Sequence, residues 1–231
     1  MIKVVIIGYG NVASHLYNVF SKTDVISISK INSRNIKDIP DSDIIIIAVS
    51  DDAISEVSNQ LKNNNSLIAH TSGTVSLDAI KSKRKGVFYP LQTFTKEKSI
   101  DFSKVPFCIE ATNDTDLQIL TNLAGAIDAK TYQITTAQRK KLHIAAVFVN
   151  NFSNHMYTIG KEICDQHQVP FEILLPLIKE TANKITEISP AEAQTGPGKR
   201  NDEQTIKNHL EQLNSQQQEI YSLITKSIQE N

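Results

Sequence analysis

The sequence predicts an α/β protein: a Rossmann-type, doubly wound parallel sheet over residues 1–135, followed by an all-α C-terminal domain over residues 136–231. Three observations lead to this fold class. Short β-branched runs alternate with helical patterns through the first 135 residues, which is typical of a parallel sheet built from βαβ units. A glycine-rich turn joins the first apolar run to the first helical pattern. After Ile134 no strand pattern recurs, so the rest of the chain is expected to be helical.

Seven predicted strands supply the sheet. Continuous apolar runs, such as the four isoleucines within Ile44–Val49, suit strands that are buried on both faces. The strands are predicted at Ile2–Ile7, Val25–Ser29, Ile44–Val49, Ser66–Ala69, Gly86–Tyr89, Val105–Glu110 and Lys130–Ile134. Helices are predicted at Val12–Phe20, Asp52–Leu61, Ser76–Ser82 and Asp114–Ala126.

A long helix opens the C-terminal part. Thr135 and Gln138 have the spacing of a capping box, and the helix is expected to run to about His167. Asp202 is placed to cap a later helix. One broad face of the long helix is apolar and therefore needs a partner surface, so we expect a homodimer formed through the C-terminal helices. The residues of that face are Leu142, Ala145, Phe148, Val149, Phe152, Met156, Ile159 and Ile163.

Composition excludes several classes of function. Twenty-four Lys and Arg against 25 Asp and Glu give a formal net charge of −1, so no positive excess attracts nucleic acid or an anionic membrane. The stretch Leu142–Gly160 is uncharged, but its His, Asn and Ser side chains would be costly in lipid, so no membrane span is expected. Met1–Val4 leads directly into an apolar strand without a secretory signal, which predicts a cytoplasmic protein. Cys108 and Cys164 lie far apart with no metal-ligand spacing, so we expect two buried apolar side chains and no metal.

The turn after the first strand has the pattern of a dinucleotide-binding site. Gly8 and Gly10, followed by Asn11, Val12 and Ala13, read G-x-G-x-x-A between a predicted strand and a predicted helix. Glycines let the backbone approach a pyrophosphate, and the helix N-terminus offers free N–H groups. A glycine turn that serves only helix–strand packing is the alternative.

The loop after the second strand favours NADP over NAD. NAD-binding domains carry a carboxylate there for the ribose 2′-hydroxyl, but Val25–Lys37 contains no acidic residue. Asn32, Ser33 and Arg34 instead offer donors that suit a 2′-phosphate. A solvated loop charge is the other interpretation of Arg34.

Two further loops are expected along the same sheet edge. Val49 and Ser50 follow the third strand, and Thr71, Ser72 and Gly73 follow the fourth. We expect these residues to line the cofactor. Two neighbours receive structural interpretations: Asp52 is placed to cap the next helix, and His70 is more often structural than catalytic.

These motifs resemble a known family. Five segments, spread over nearly the whole chain, together resemble a bacterial family of NADP-dependent oxidoreductases. They are the glycine turn, Ala48-Val49-Ser50-Asp51-Asp52, Thr71-Ser72-Gly73, Tyr89-Pro90-Leu91-Gln92-Thr93-Phe94 and Thr195-Gly196-Pro197. That family is similar in plan to pyrroline-5-carboxylate reductase, prephenate dehydrogenase and 6-phosphogluconate dehydrogenase. The resemblance implies a helical dimerisation domain and an active site between domains. A deazaflavin cofactor is also linked with such proteins, but Asn32-Ser33-Arg34 favours NADP. The family is expected to carry His where this chain has Tyr89.

Candidate catalytic residues lie on the long helix. At about 100° per residue, His143, Asn150 and Asn154 share a narrow polar stripe. No charged residue lies between Lys141 and Lys161, so the stripe is expected to be buried between domains or subunits. The resemblance implies that this helix passes beside the nicotinamide, which makes His143 a candidate proton donor and Asn150 a residue that orients substrate. A purely structural histidine remains the alternative.

Candidate substrate contacts complete the set. Gln92 belongs to the Pro-Leu-Gln-Thr-Phe segment, and Thr195 and Arg200 flank the Gly196-Pro197-Gly198 loop, which is otherwise a simple helix connection. The leading hypothesis is an oxidoreductase that moves a hydride between NADP(H) and a small carbonyl, imine or hydroxy compound. The alternative is a non-catalytic dinucleotide-binding or redox-sensing protein that acts through its helical domain.

Overall fold

The computed structural model describes residues 1–230. The chain divides into two compact units, Met1–Phe148 and the remainder from Val149. The predicted domain boundary at 135/136 lies where strands give way to helices, and the first unit includes one further helix. Each unit is described in turn.

A seven-stranded sheet forms the first unit, in the order β2-β1-β3-β4-β5-β6-β7. All seven predicted strands are present, with boundaries that differ by at most two residues. They are β1 (Ile2–Ile7), β2 (Ile26–Ile31), β3 (Ile44–Ile47), β4 (Leu67–His70), β5 (Lys85–Pro90), β6 (Phe107–Ala111) and β7 (Thr131–Gln133).

One strand pair departs from the predicted all-parallel sheet. β5 and β6 are antiparallel, whereas the other neighbouring pairs are parallel. The connection between them contains only a 3-10 turn, Phe102–Lys104. Without a crossover helix to return the chain to the starting edge, β6 runs back along β5.

Three helices of this unit match the prediction closely, and a fourth does not. They are α1 (Asn11–Phe20), α2 (Ile54–Gln60) and α3 (Asp114–Gly125). The predicted helix Ser76–Ser82 is wrong, because only a 3-10 turn forms at Leu77–Ala79 and Ile80 then returns to extended backbone. The capping role predicted for Asp52 is also wrong: α2 is preceded by a 3-10 turn at Asp51–Ala53 and has no side-chain cap.

The sheet is covered on both faces, as a doubly wound fold requires. Val4 and Ile6 of β1 join a cluster that includes side chains of α1 and α3, while Val5 and Ile7 join a second cluster with α2. Because alternate residues of a strand point to opposite faces, one apolar strand contributes side chains to the core on both faces of the sheet. The four isoleucines of β3 are all fully buried, and each contributes about 1.5–3 kcal/mol of transfer free energy.

The predicted long helix is confirmed, with one change of geometry. Thr135 and Gln138 form the predicted capping box at the start of α4 (Thr136–Ala146). A π-helical segment, Val147–Phe152, follows directly, and α5 (Ser153–Gln166) continues it. Later helices are α6 (Leu175–Lys184), α7 (Pro190–Ala193), α8 (Glu203–Leu210), capped by Asp202 as predicted, and α9 (Ser215–Gln229).

The second unit buries very little of its own apolar surface. Cys164 is the only buried hydrophobic residue among the described residues from Val149 onward. Large apolar side chains are instead exposed, including Val149 at 76%, Leu177 at 61% and Leu223 at 71%. A helical unit of this size is normally stabilised by a shared apolar core, which this chain by itself does not supply.

Candidate active site

The glycine turn after β1 leaves no room for side chains on its inner side. Gly8 has a φ of +132°, and a Cβ placed there would lie 2.2 Å from the carbonyl oxygen of Ala48. Gly10 differs, because nothing lies within 4 Å of the position its Cβ would take. The N-terminus of α1 therefore opens onto free space, and its unpaired N–H groups make it suited to bind an anion.

That free space is a cleft of about 1010 Å³ at the carboxyl edge of the sheet. Ten residues singled out from the sequence line it: Gly8, Gly10, Asn11, Val12, Ser33, Arg34, Val49, Ser50, Thr71 and Gln92. In an open α/β sheet, ligands bind in such a crevice beyond the carboxyl ends of the strands. The volume and position suit a dinucleotide.

Sequence reasoning missed part of the lining. Tyr9 stands between the two glycines, Phe94 ends the Pro-Leu-Gln-Thr-Phe segment, and one side of α2 also contributes. The helical residues are Ala53, Glu56, Val57 and Gln60, whose spacing of three and four would have identified a common face.

Two residues predicted to contact the cofactor have structural positions instead. Ala13, a residue of α1, is fully buried and belongs to the core. The third small residue of this motif has the same packing role in other dinucleotide-binding domains. The Asn32 side chain accepts a hydrogen bond from the backbone N–H of Arg34 at 2.9 Å and so shapes the loop. Asn11 lines the cleft, and its side-chain amide also donates to the carbonyl of Phe94 at 2.9 Å.

A pair of polar side chains, Tyr89 and His143, packs against the loop after β4 at Gly73, two residues beyond Thr71. The Tyr89 hydroxyl and His143 Nδ1 are hydrogen-bonded at 3.2 Å. Both rings pack against Gly73, where an added Cβ would lie 2.6 Å from His143 Nδ1 and 2.9 Å from Tyr89 Cζ. Ser72 supports the loop by accepting hydrogen bonds from the backbone of Thr74 and Val75. The predicted residues Gly73 and His143 thus meet Tyr89, which had been noted only as a departure from the family.

A buried ion pair positions the helix that carries His143. Arg139, one turn earlier on α4, is fully buried and pairs with Glu110 of β6. Its guanidinium also donates to the backbone carbonyl of Val75 in the loop after β4. Glu110 in turn accepts from the backbone N–H and hydroxyl of Thr136, each at 2.8 Å. The first turn of α4 is therefore fixed to both β6 and the β4 loop.

Burial sets the protonation of two neighbouring side chains. Burial, together with the nearby positive charge of Arg139, lowers the pKa of His70 to about 4, so the ring is neutral near pH 7. Its Nδ1 accepts a hydrogen bond from the backbone N–H of Ser72 at 3.1 Å, a structural role. Burial also raises the pKa of Tyr89 to about 12, so its hydroxyl stays protonated and can donate.

The remaining candidate residues belong to the second unit. Asn150 lies in the π-helical segment and is exposed, with its side chain near that of Asn151. Thr195 lines an apolar cavity of about 590 Å³ within the helical unit, together with Met156, Ile159 and Ile163. Arg200 is exposed and lies 4.0 Å from Asp202. Their roles toward substrate stay predictions.

Three further observations concern the cysteines, possible metal ligands and possible membrane spans. Cys108 and Cys164 are both buried and unpaired with each other, as predicted. Within residues 1–230, no group of three or more His, Cys, Asp or Glu side chains is arranged to hold a metal ion. None of the helices in that range has the length and apolar character needed to cross a membrane.

Comparison with known proteins supports the family interpretation. A family model described as "Domain of unknown function (DUF2520)" matches residues 105–228. BF3122 of Bacteroides fragilis, a solved structure assigned provisionally as an NADP oxidoreductase, is 33% identical and aligns with 100% of this chain and 98% of its own, with a TM-score of 0.86. No curated protein matches the chain.

More distant structures share the fold. TM1727 of Thermotoga maritima is 21% identical over 98% of this chain and 97% of its own, with a TM-score of 0.75. A 1-pyrroline-5-carboxylate reductase of Streptococcus pyogenes is 12% identical over 100% of this chain and 99% of its own, with a TM-score of 0.67. The similarity in plan to that reductase, expected from the sequence, is confirmed.

The buried neutral His70 predicts a pH-dependent stability. In the unfolded chain its pKa returns to about 6.5, whereas the folded pKa is about 4. Between these values the unfolded state binds the proton more tightly, so the free energy of unfolding falls as the pH drops from 6.5 toward 4. The lost contribution is roughly 3 kcal/mol, at about 1.4 kcal/mol per pKa unit. Urea unfolding of His70→Asn across this range should show a much weaker pH dependence, whereas the exposed His155→Asn should match the unmodified protein. Parallel curves for all three proteins would contradict the assignment.

Proposed function

The chain belongs to the DUF2520 family, whose description assigns no activity, and we propose that it is an oxidoreductase that transfers a hydride between NADP(H) and a small carbonyl, imine or hydroxy compound. One observation carries the proposal: the Tyr89–His143 pair packs against Gly73, two residues after Thr71, and Thr71 lines the dinucleotide-sized cleft. The provisional assignment of BF3122 as an NADP oxidoreductase supports it.

The cleft has the features that a nicotinamide dinucleotide requires. Gly8 admits no side chain and Gly10 faces open space, so the backbone at the start of α1 is accessible to a pyrophosphate. The strand order supports an orientation with the adenosine toward β2 and the nicotinamide toward β3 and β4. Ser33 and Arg34 line the cleft, and the segment Val25–Lys37 that contains them has no carboxylate, which favours a 2′-phosphate.

The Tyr89–His143 pair, which packs against Gly73 in the loop that follows Thr71, suits proton transfer. Bound NADPH supplies a hydride. The protein must then hold a proton near the developing alkoxide or amine, and a hydroxyl in hydrogen-bond contact with an imidazole can donate it and be reprotonated. His143 is half-buried and packs against Gly73 of the β4 loop. Arg139 and Glu110 hold its helix in register, which limits the motion of the imidazole.

We also propose that the active form is a homodimer joined through the helical unit. A unit with one buried hydrophobic residue among its described residues needs a further apolar surface to be stable. A second copy supplies it in an isologous interface, since each chain presents the same exposed faces. Exposed leucines and isoleucines occur on and around α6, notably Ile173, Leu177 and Ile185.

Removing Arg34 should abolish the preference for NADPH. A charge-assisted hydrogen bond contributes about 1.5–3 kcal/mol, so Arg34→Ala should weaken NADPH binding roughly tenfold to a hundredfold and leave NADH binding nearly unchanged. Arg34→Lys should retain part of the preference. Isothermal titration with each cofactor measures both. Equal losses for the two cofactors would mean that Arg34 is structural.

Replacing His143 should slow turnover without weakening the binding of NADPH. NADPH oxidation is first screened against oxo acids, ketones and cyclic imines. With the substrate so found, His143→Ala should lower kcat by roughly a hundredfold or more, as general acids typically contribute, while the Kd for NADPH is preserved. Lys141→Ala, on the same helix and exposed, is the control. Normal turnover in His143→Ala would remove this residue from the mechanism, and NADPH binding without turnover across the whole screen would favour a non-catalytic sensor.

Light scattering should give a mass of about twice 25.7 kDa at micromolar concentration. Leu177→Glu places a charge on an exposed apolar surface of the helical unit and should shift the protein toward monomer and reduce its helical content. Val25→Glu, at an exposed apolar residue of the first unit, is the matched control and should remain dimeric. A well-folded monomer of the unmodified chain would contradict the dimer.

A further inference from the structure

Lys30, the penultimate residue of β2, is held between two aromatic rings. Its Nζ lies 4.7 Å from the centroid of Tyr9 and 4.8 Å from that of Tyr17. Distances below about 6 Å are those of an attractive cation–π contact. Lys30 is half-buried, and no ion pair to a carboxylate forms at this residue within the described chain. Its positive charge is therefore fixed in place but not neutralised.

Lys30 is separated from the cleft by the ring of Tyr9. Tyr9 contacts Lys30 and also lines the cleft beside Gly8 and Gly10. β2 is the neighbour of β1 on the side away from β3, and in this fold the adenosine ribose lies at the end of that second strand. Ser33 and Arg34, three and four residues beyond Lys30, line the same end of the cleft.

The charge balance at this end calls for a second cation. A phosphate monoester carries about −1.5 to −2 charges near pH 7, whereas Arg34 supplies one positive charge. Glu56 also lines the cleft and adds a negative charge. We propose that Lys30, held by Tyr9 and Tyr17, is the second cation that selects the 2′-phosphate of NADP(H), an inference that rests on the proposed function.

The two rings give the lysine a defined starting position. A free lysine side chain loses rotamer entropy when it is fixed, and part of that loss has already occurred when aromatic faces confine the side chain. Tyr9, which lines the cleft and contacts Lys30, holds the lysine Nζ next to the cleft wall. It is a positioning residue, and Lys30 is the one that meets the phosphate.

Binding titrations with NADPH and NADH test the proposal without a substrate. Lys30→Met keeps the length and apolar stem of the side chain but removes the charge. It should weaken the binding of NADPH roughly tenfold or more and change the binding of NADH by less than about twofold. Lys30→Arg should retain most of the preference. Lys37→Met removes the same charge from an exposed residue of the following loop and should behave like the unmodified protein.

Substitutions of Tyr9 separate its aromatic face from its hydroxyl. Tyr9→Phe should preserve the NADPH preference, and Tyr9→Leu should reduce it by roughly threefold or more, in line with the strength of a cation–π contact. Circular dichroism verifies that each variant is folded, and Lys30→Gln replaces Lys30→Met if that variant is not.

The outcomes distinguish two failures. Binding of neither cofactor by the unmodified protein would overturn the proposed function itself. An NADPH preference that survives in Lys30→Met, or losses that are equal for both cofactors, would overturn the role of Lys30 alone. Equal behaviour of Tyr9→Phe and Tyr9→Leu would overturn the positioning role of the ring.

Discussion

The buried ion pair between Arg139 and Glu110 is the interaction on which the candidate active site depends. Arg139 is fully buried, and removing one partner of a buried pair leaves an uncompensated charge that costs several kcal/mol. The guanidinium must therefore keep its contacts to Glu110 and to the Val75 carbonyl. His143 lies four residues later on the same face of α4, so its approach to Tyr89 follows from where Arg139 is held. The same charge disfavours protonation of His70.

Much of the first unit was predictable because its signals are local. The isoleucine run of β3, the glycine turn and the capping box at Thr135 each act within a few residues, and each was identified correctly. The errors arose where a distant partner decides the outcome. The direction of β6 depends on the absence of a crossover helix between β5 and β6. The segment after Ser76 forms only a 3-10 turn, and the backbone N–H groups of Leu77 and Lys81 donate to Thr136 and Ser58 of other elements.

The candidate site was predicted in part for the same reason. Cofactor-lining residues follow strand ends, a position that can be counted along the sequence. The meeting of Tyr89 with His143, 54 residues apart, has no local signal. The helical wheel that grouped His143 with Asn150 assumed 100° per residue, but the π-helical segment Val147–Phe152 lies between them. Bonding from residue i to i+5 places more residues in each turn, so a uniform wheel does not describe the spacing across it.

The close packing at Gly73 bears on how this site can change during evolution. Because an added Cβ would overlap both His143 and Tyr89, a larger residue at position 73 is tolerated only after one of those rings has been replaced. A histidine at position 89 is smaller than tyrosine and would relax this restriction while giving up the present contact to His143. The three positions are therefore epistatic: the order in which substitutions arise decides which are accessible, and lineages with Tyr89 are expected to explore different neighbours from those with histidine there.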